Sequence, residues 1–266
     1  MLHHSEFLAK AKAVPVGQKR RVHHGCGATA SMDVWNNPES WSAYCHRCHD
    51  SGRVYKEYLT PVPKDVVVYR KYCNSADLVE LSVLRSKHPD WFRRVIVLLQ
   101  AKGVSTALLE SVGARLRYNV KDHRLVLSFS GVDIGRDCTG SAPAKWLKYH
   151  RDDGIGYVYL QGKNAQDTRV AITEDVFSAA KITYYTGVSS MCLLGTALDD
   201  SKVTKLLDAT VLVCTDGDKA GYDAARVIKQ RLEVLGVPVQ VRIKDGYDPK
   251  DMTPEELSEL VLWNIN

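Results

Sequence analysis

The spacing of apolar residues in the middle of the chain is typical of helices. From about residue 75 to residue 112, apolar and polar positions alternate at helical spacing. Ser75 and Ser105 stand where helix N-caps are expected, and Gly103 and Gly113 stand where helices are expected to end. This stretch therefore predicts two or three short helices.

Beyond Ala114 the apolar residues recur at every second position, which is the period of a half-buried strand. The runs that show this period are separated by turn residues, and they cover 115–118, 124–129 and 156–160. Together with the preceding helices they predict a mixed α+β region, which we assign to residues 67–165.

After residue 165, short apolar runs alternate with helical stretches in a regular order. The apolar runs cover 170–173, 190–194, 211–214 and 239–243. Apolar strands that alternate with helices indicate a largely parallel sheet covered by helices. Residues 166–266 are therefore predicted to form an α/β domain, and the ligands of such domains bind beyond the carboxyl ends of the strands.

The first part of the chain has few aliphatic residues. Residues 1–21 are rich in lysine and alanine, so we interpret them as a mobile basic arm. Residues 22–58 are rich in Cys, His, Gly and Trp, and they are too poor in core-forming residues to fold without a cross-link such as a metal. Two prolines then predict an extended linker over 59–66, which sets residues 1–58 apart as a domain.

The overall composition is that of an ordinary folded protein, with 45% hydrophobic and 25% charged residues among 266. No apolar run approaches the roughly 20 residues of a membrane-spanning helix, and the first residues lack the apolar stretch of a secretory signal. We therefore expect a cytoplasmic protein with no membrane partner. The net charge of +5 weakly favours an anionic partner such as nucleic acid.

Three of the seven cysteines lie in a short histidine-rich window, at the spacing of zinc ligands. The predicted ligands form a His-x2-Cys pair and a Cys-x2-Cys pair separated by eighteen residues: His23, Cys26, Cys45 and Cys48. Three other histidines are near enough to replace the first of these, namely His24, His46 and His49. A closed, four-coordinate site of this kind holds a structural Zn²⁺ and predicts a β-type zinc ribbon.

The same segment carries aromatic and basic side chains that suit single-stranded nucleic acid. They are Trp35, Trp41, Tyr44 and Arg47. Aromatic rings stack on unpaired bases and arginine binds phosphate, so the ribbon is a candidate surface for a DNA template. The alternative is that one or two of the tryptophans only cover the small core of the ribbon.

Acidic residues follow the predicted strands of the α/β domain at three separate points. They are Glu174 after the first strand, Asp216 and Asp218 after the third, and Asp248 after the fourth. Because parallel strands end at one edge of a sheet, we expect these carboxylates to converge there. Carboxylates suit Mg²⁺ or Mn²⁺, and two such ions about 4 Å apart can serve nucleotidyl transfer. The other acids near these strands are interpreted as helix caps or loop residues: Asp175, Asp199 and Asp200.

In combination, these residues resemble the motifs of bacterial-type DNA primases, especially the small primases of phage replication. Glu174 fits the Toprim glutamate, residues 216–221 fit the Asp-x-Asp motif, and Asp248 with the proline after it resembles the downstream acidic motif. Residues 144–149 look like the basic stretch that precedes the Toprim domain in this family. The resemblance covers nearly the whole chain.

The resemblance implies that the α/β domain is a Toprim catalytic subdomain, preceded by the N-terminal subdomain of an RNA polymerase domain and a template-binding zinc ribbon. The implied activity is the synthesis of short RNA primers from ribonucleoside triphosphates on single-stranded DNA. Glu174 would assist deprotonation of the attacking hydroxyl, and Lys145 would neutralise phosphate charge. The implied ligands of Mg²⁺ or Mn²⁺ are Glu174, Asp216, Asp218 and Asp248. The sequence contains no Gly-x4-Gly-Lys-Ser/Thr loop, so unwinding is expected from a separate replicative helicase acting in trans.

The chain departs from the family pattern at two points. Its first zinc pair is His-then-Cys, where many relatives have Cys-then-His or two cysteines. Ser178 stands four residues after Glu174, where relatives usually carry an aspartate, so one carboxylate of the metal site or its support is replaced. Asp175 is the nearest acid that would compensate.

Two other functions fit parts of the pattern less well. A non-catalytic recombination mediator also joins a zinc motif to a Toprim domain, but it places the two almost side by side, whereas here about 110 residues intervene, enough for another domain. A Toprim nuclease or a topoisomerase fragment is the third possibility. A topoisomerase needs a large strand-passage region with a nucleophilic tyrosine, for which the sequence has no room.

Overall fold

The computed structural model describes residues 2–57, 72–142, 144–149 and 156–262. The chain divides into two compact units, Met1–Tyr69 and Arg70–Asn266. The first unit contains the predicted ribbon, and the second contains the predicted mixed region and the α/β domain. The predicted linker 59–66 lies outside the described residues, and the predicted boundary at residue 165 stays a prediction.

The first unit is a four-stranded antiparallel sheet with one helix, and its strands pair in the order β1-β2-β3-β4. Its elements are α1 (His4–Lys12), β1 (Gln18–His23), β2 (Ala30–Asn36), β3 (Ser40–Cys45) and β4 (Ser51–Tyr55). Met32, Val34 and Ala43 are buried under the helix in a small apolar core. The expectation of a β-type ribbon is therefore met.

The prediction of a mobile arm over residues 1–21 was wrong. His3 and Glu6 form a capping box at the start of α1, and Phe7 and Ala11, four residues apart, are fully buried against the sheet. Gly52 on β4 makes this packing possible, because a β-carbon there would lie 2.5 Å from the Phe7 ring. The sequence gives only a weak signal for this helix, because only two of its nine residues, Phe7 and Ala11, are buried.

The antiparallel part of the second unit has five strands in the order β5-β6-β7-β8-β9. Its elements are a 3₁₀ turn (Ser75–Asp77), β5 (Leu78–Glu80), α2 (Leu81–Lys87), α3 (Pro89–Gln100), α4 (Thr106–Ser111), β6 (Arg115–Asn119), β7 (Arg124–Phe129), β8 (Val132–Asp137) and β9 (Trp146–Tyr149). The three short helices were predicted, and Ser105 caps α4 as expected. Asn74 rather than Ser75 provides the earlier cap, and it caps a 3₁₀ turn.

Three strands of this sheet were not predicted. They are β5, which is only three residues long, and β8 and β9. Residues 146–149 were interpreted only as a basic stretch, although Tyr149 is buried and its hydroxyl donates to Asp122 at 2.9 Å. Short strands are supported mainly by their neighbours in the sheet, so their own sequence gives a weak signal.

The rest of the second unit is an α/β layer with a five-stranded sheet in the order β10-β12-β11-β13-β14. Its elements are β10 (Val158–Leu160), β11 (Arg169–Thr173), α5 (Val176–Thr186), β12 (Ser189–Cys192), α6 (Asp200–Thr204), β13 (Thr210–Val213), α7 (Lys219–Val234), β14 (Val239–Val241), a 3₁₀ turn (Pro249–Asp251) and α8 (Pro254–Leu260). All neighbouring strands are parallel except β10, which runs antiparallel to β12. The predicted largely parallel sheet is confirmed.

Both faces of this sheet are covered. Ile172 of β11 packs with Ile228 of α7 on one face, whereas Ala171 packs with Ile182 of α5 and Leu257 of α8 on the other. A further apolar core joins the two sheets of the unit, because Leu127 and Ile134 cluster with Phe177 of α5. Helix α8 thus packs on its own domain.

Among the described residues, no helix is both long and apolar enough to span a bilayer.

We predict that Phe7→Ala destabilises the ribbon by about 3–5 kcal/mol, because the substitution leaves a cavity between α1 and the sheet. Hydrogen exchange followed by mass spectrometry would report this as faster exchange in β3 and β4. Leu8→Ala is the matched control, since Leu8 is only half-buried on the same helix. A cost below about 1 kcal/mol for Phe7→Ala would contradict the packing described here.

Candidate functional site

Four side chains of the first unit converge on one point. They are His24, Cys26, Cys45 and Cys48, and one ligand atom of each lies within 4.8 Å of the others. The Sγ atoms of Cys26 and Cys45 are 3.5 Å apart, and Nδ1 of His24 is 3.2 Å from Cys26 Sγ. Three thiols and an imidazole at these separations suit a tetrahedral ion such as Zn²⁺.

The structure corrects the choice of histidine, because His24 and not His23 joins the three thiols. A bulge between Val22 and His23 at the end of β1 shifts the strand register. His23 is left exposed, while the following side chain is buried. The two remaining candidates have other partners, since His46 contacts Asp33 and His49 contacts Tyr44.

Glu6 of α1 orients the histidine of this cluster. Its Oε2 lies 3.2 Å from Nε2 of His24, so Nδ1 is the ring nitrogen that faces the thiols. The hydrogen bond with Glu6 and those with the thiols raise the pKa of His24 to about 9. Metal-bound histidines commonly donate their second ring N–H to a carboxylate in this way. Sequence reasoning missed Glu6, which lies eighteen residues before its partner.

The surroundings of Cys45 favour the ionised form of its thiol. Burial raises its pKa, but hydrogen bonds from the backbone N–H of Cys48 and from the Ser31 hydroxyl outweigh burial and lower the pKa to about 5. A thiol with such a pKa is a thiolate at neutral pH, which is the form that binds metals. The lowered pKa of Cys45 therefore fits its role as a metal donor.

The second cluster lies at the carboxyl edge of the parallel sheet. Ile172 of β11 pairs in register with Val213 of β13, so the residues that follow the two strands come together. The backbone N–H of Asp216 donates to Oε1 of Glu174 at 3.3 Å. The predicted convergence of these two acids is observed.

Gly217 brings the third acidic segment to the same edge. Its N–H donates to the Tyr247 carbonyl at 3.1 Å, and its own carbonyl accepts from Gly246 N–H at 2.9 Å. A β-carbon at position 217 would lie only 2.2 Å from the Lys244 carbonyl oxygen, so only glycine permits this approach. Asp248 follows Tyr247 in the chain, and it lines the same cavity as Asp216.

These acids line a cavity of about 530 Å³. The charged side chains in its lining include Lys145, Glu174, Asp175, Asp216, Asp248 and Lys250. Four of the five predicted catalytic residues are thus brought together. The fifth, Asp218, is exposed and caps α7, where its Oδ1 accepts from Gly221 N–H at 2.8 Å.

Lys250 lies within this acidic group, and sequence reasoning gave it no role. Its Nζ is 3.0 Å from Oδ2 of Asp175 and 3.6 Å from Oδ2 of Asp216, and it donates to Asp248 as well. The signal that would have found it is the lysine two residues after Asp248, within the acidic segment itself.

Four carboxylates line this part of the cavity, whereas Lys250 is the cation that contacts three of them. Burial and the charge of Asp216 raise the pKa of Glu174 to about 7. Burial likewise raises the pKa of Asp216 to about 6, because the charges of Asp175 and Asp248 add to it and Lys250 only partly opposes it. Oδ1 of Asp216 is buried and has no hydrogen-bond partner. Such a group fits a hard divalent cation such as Mg²⁺ or Mn²⁺.

Ser178, at the position where an aspartate was expected, contacts the neighbouring acid Asp175. The Ser178 side chain is fully buried, and its hydroxyl donates to Oδ2 of Asp175 at 3.2 Å. Asp175 caps α5, as predicted, through the N–H groups of Phe177 and Ser178. It also lines the cavity and contacts Lys250, so the cap places an additional carboxylate at the site.

Cationic side chains surround the acids. The cavity lining contains Lys102, Arg136, Lys145 and Lys148. The Arg136 guanidinium lies over the Trp146 ring, 5.2 Å from its centroid, and its Nε has no hydrogen-bond partner. Sequence reasoning identified the lysines of the 144–149 stretch but not the other two cations. Positive groups around a carboxylate centre suit a substrate that carries several phosphates.

Parts of the chain are similar to known proteins. A family model described as Toprim-like matches residues 173–253. The DNA primase of Escherichia coli K12 is 27% identical over 154 residues, which is 54% of this chain and 26% of that protein. The chain thus spans about a quarter of the length of the curated relatives it matches.

Solved structures show the same fold at low identity. The Aquifex aeolicus primase, solved as its zinc-binding and RNA polymerase domains, aligns with a TM-score of 0.52 at 16% identity, and the match covers 95% of this chain and 81% of that one. A DnaG primase catalytic domain bound to single-stranded DNA aligns with a TM-score of 0.52 at 18% identity, over 66% and 71% of the two chains. At these identities the likeness shows a shared fold.

We predict that Glu174→Gln stabilises the metal-free protein by about 1–3 kcal/mol at pH 8, at roughly 1.4 kcal/mol per unit of pKa shift. The folded-state pKa of Glu174 is raised to about 7, so the charged carboxylate destabilises the folded protein. Below its ordinary pKa the side chain is neutral in both the folded and the unfolded state, and this cost is absent. The cost grows as the pH rises and is complete above about pH 7. Chemical unfolding from pH 4.5 to pH 8 in a chelator measures the difference between variant and wild type.

The control for this measurement is Asp245→Asn, which removes one negative charge from an exposed position in the neighbouring loop. Its unfolding free energy relative to wild type should stay constant over the same pH range. A Glu174→Gln difference that did not change with pH, or that grew towards acid, would contradict the crowding of carboxylates at this edge.

Proposed function

We propose that this chain, which carries a Toprim-like domain on a fold shared with bacterial primases, is a DNA primase that synthesises short RNA primers on a single-stranded DNA template. The observation that carries the proposal is the convergence of Glu174, Asp216 and Asp248, from three segments of the α/β layer, in one cavity. Crowded carboxylates, two of which (Glu174 and Asp216) have raised pKa values, and the cations around them suit nucleotidyl transfer from a ribonucleoside triphosphate.

In this proposal Glu174 acts as the base. The 3′-hydroxyl oxygen of the growing primer attacks the α-phosphorus of the incoming nucleotide, the hydroxyl proton passes to Glu174, and pyrophosphate leaves. A carboxylate whose pKa is raised to about 7 is well matched to this transfer at neutral pH. The triphosphate is attracted by the cations of the cavity, among them Lys145 and Lys148.

Asp216 and Asp248 are the proposed ligands of Mg²⁺ or Mn²⁺. A bound ion supplies charge stabilisation for the developing oxyanion and the leaving pyrophosphate. The unpartnered Oδ1 of Asp216 supports its assignment. Asp218 has a first role in capping α7, and its role as a ligand stays a prediction.

The zinc ribbon is the proposed template-binding surface. Trp35 and Tyr44 lie beside Arg53 along a groove of about 640 Å³ on the sheet, and the Lys19 ammonium lies 5.9 Å from the Trp35 ring centroid. Aromatic rings next to cations suit unpaired bases and their phosphates. Trp41 has a different environment, between the ammonium groups of Lys12 and Lys56.

For duplex unwinding we propose a separate replicative helicase as partner.

We predict that Asp216→Asn abolishes RNA synthesis without unfolding the protein. The purified chain, single-stranded DNA, ribonucleotides and Mg²⁺ or Mn²⁺ should yield short RNA, and the variant should yield about a hundred-fold less or none, since several kcal/mol of transition-state stabilisation are lost. Asp245→Asn should synthesise RNA normally. Failure of the wild type with either ion, or full activity of Asp216→Asn at saturating metal, would refute the assigned site.

We predict one zinc per chain, lost in Cys45→Ser and held less tightly in Glu6→Gln. The second substitution keeps all four donors but removes the carboxylate that orients His24, which should weaken zinc binding about 10- to 100-fold. Elemental analysis gives the zinc content, and competition with a chromogenic chelator gives the affinity. Glu39→Gln, on an exposed turn of the same unit, is the control. Equal affinities for Glu6→Gln and wild type would remove the orienting role.

A further inference from the structure

The ammonium of Lys250 lies among the carboxylates of the acidic edge. It contacts the carboxylates of Asp175, Asp216 and Asp248, which come from three different segments of the domain. The side chain is largely buried, with 12% of its surface exposed. Lys250 is therefore part of the charge arrangement of the site and not a surface lysine that happens to lie nearby.

The backbone of Lys250 is held in place by a second buried lysine. Nζ of Lys181, on α5, donates to the carbonyl of Lys250 at 2.7 Å and to that of Met252 at 2.8 Å. Pro249 and Met252, on either side of Lys250, are buried. The turn that carries Lys250 is therefore fixed at both ends, and its ammonium is held among the same carboxylates.

The contacts of Lys250 divide the acidic edge into two parts. Oδ2 of Asp175 and Oδ2 of Asp248 are used by the ammonium, and Oδ2 of Asp216 lies 3.6 Å from it. Oδ1 of Asp216 is buried without a partner, and Glu174 contacts the backbone of the same residue. The carboxylate charge that no cation balances is therefore concentrated at Glu174 and Asp216.

We propose that Lys250 supplies one of the two positive charges of the site, so that the acidic edge binds one divalent cation, with Asp216 as its main ligand, instead of two. The inference rests on the proposed function, since it concerns how that site balances the charge of a triphosphate. Two divalent ions in such sites lie about 4 Å apart, and a fixed ammonium among the carboxylates opposes the second ion by charge and by volume. No bond to Lys250 forms or breaks in the reaction.

The experiment counts Mn²⁺ ions in the zinc-loaded full chain by electron paramagnetic resonance and isothermal titration calorimetry. Two Mn²⁺ ions about 4 Å apart couple magnetically, whereas a single ion does not. Wild type should bind one Mn²⁺ at the acidic edge, with an uncoupled spectrum. Lys250→Met, which removes the charge but keeps a long apolar side chain, should bind a coupled pair. Lys250→Arg, which keeps the charge, should again bind a single ion.

Lys102→Met is the matched control, because Lys102 lines the same cavity and its loss changes the net charge equally. It should bind a single uncoupled ion. A coupled pair in wild type overturns the proposal even if Lys250→Met does not fold. A single ion in a folded Lys250→Met, or a coupled pair in Lys102→Met, overturns it as well.

This test separates the inference from the function on which it rests. A chain that makes RNA primers but holds a coupled Mn²⁺ pair keeps the proposed function and loses the role of Lys250. A chain that shows the expected change from a single ion to a pair but makes no RNA keeps the role of Lys250 in metal binding and loses the primase assignment.

Discussion

The parallel pairing of β11 with β13 is the constraint on which the catalytic half of the molecule depends. Ile172 and Val213 are in register, and both strands are buried on both faces, so a slip of one residue would exchange the environments of every side chain in the strand. The pairing is therefore well determined. It brings Glu174 and Asp216 together although they are 42 residues apart, and the rest of the cavity is arranged around that pair.

The two units handle buried ionisable groups in opposite ways. In the ribbon, Glu6, His24 and the cysteines hydrogen-bond with one another, so the charged forms of His24 and Cys45 are favoured. In the acidic cavity the like charges of the carboxylates reinforce the cost of burial, and the pKa values of Glu174 and Asp216 rise. The ribbon's polar groups satisfy one another, whereas the cavity keeps an excess of negative charge available for a cation.

The strand pattern of the parallel sheet and the acids at its edge could be predicted from the sequence, because buried strands are continuous apolar runs and residues such as Glu174 follow them directly. What could not be predicted depends on contacts between distant segments. His24 replaces its neighbour because of a bulge that pairing with β2 reveals. Lys250 and Glu6 acquire their roles only when the turn before α8 and the helix α1 are in place.

Helix α1 also imposes an order of events on synthesis of the chain. Its residues leave the ribosome before those of β4, yet the N–H of Leu2 donates to the carbonyl of Ser51, and the Phe7 ring packs over Gly52. A helix of nine residues is too short to be stable alone, so α1 depends on the strands of the sheet, the last of which, β4, lies some forty residues downstream. The last zinc thiol, Cys48, emerges before β4. All four metal donors have therefore left the ribosome before the packing of α1 on the sheet is complete.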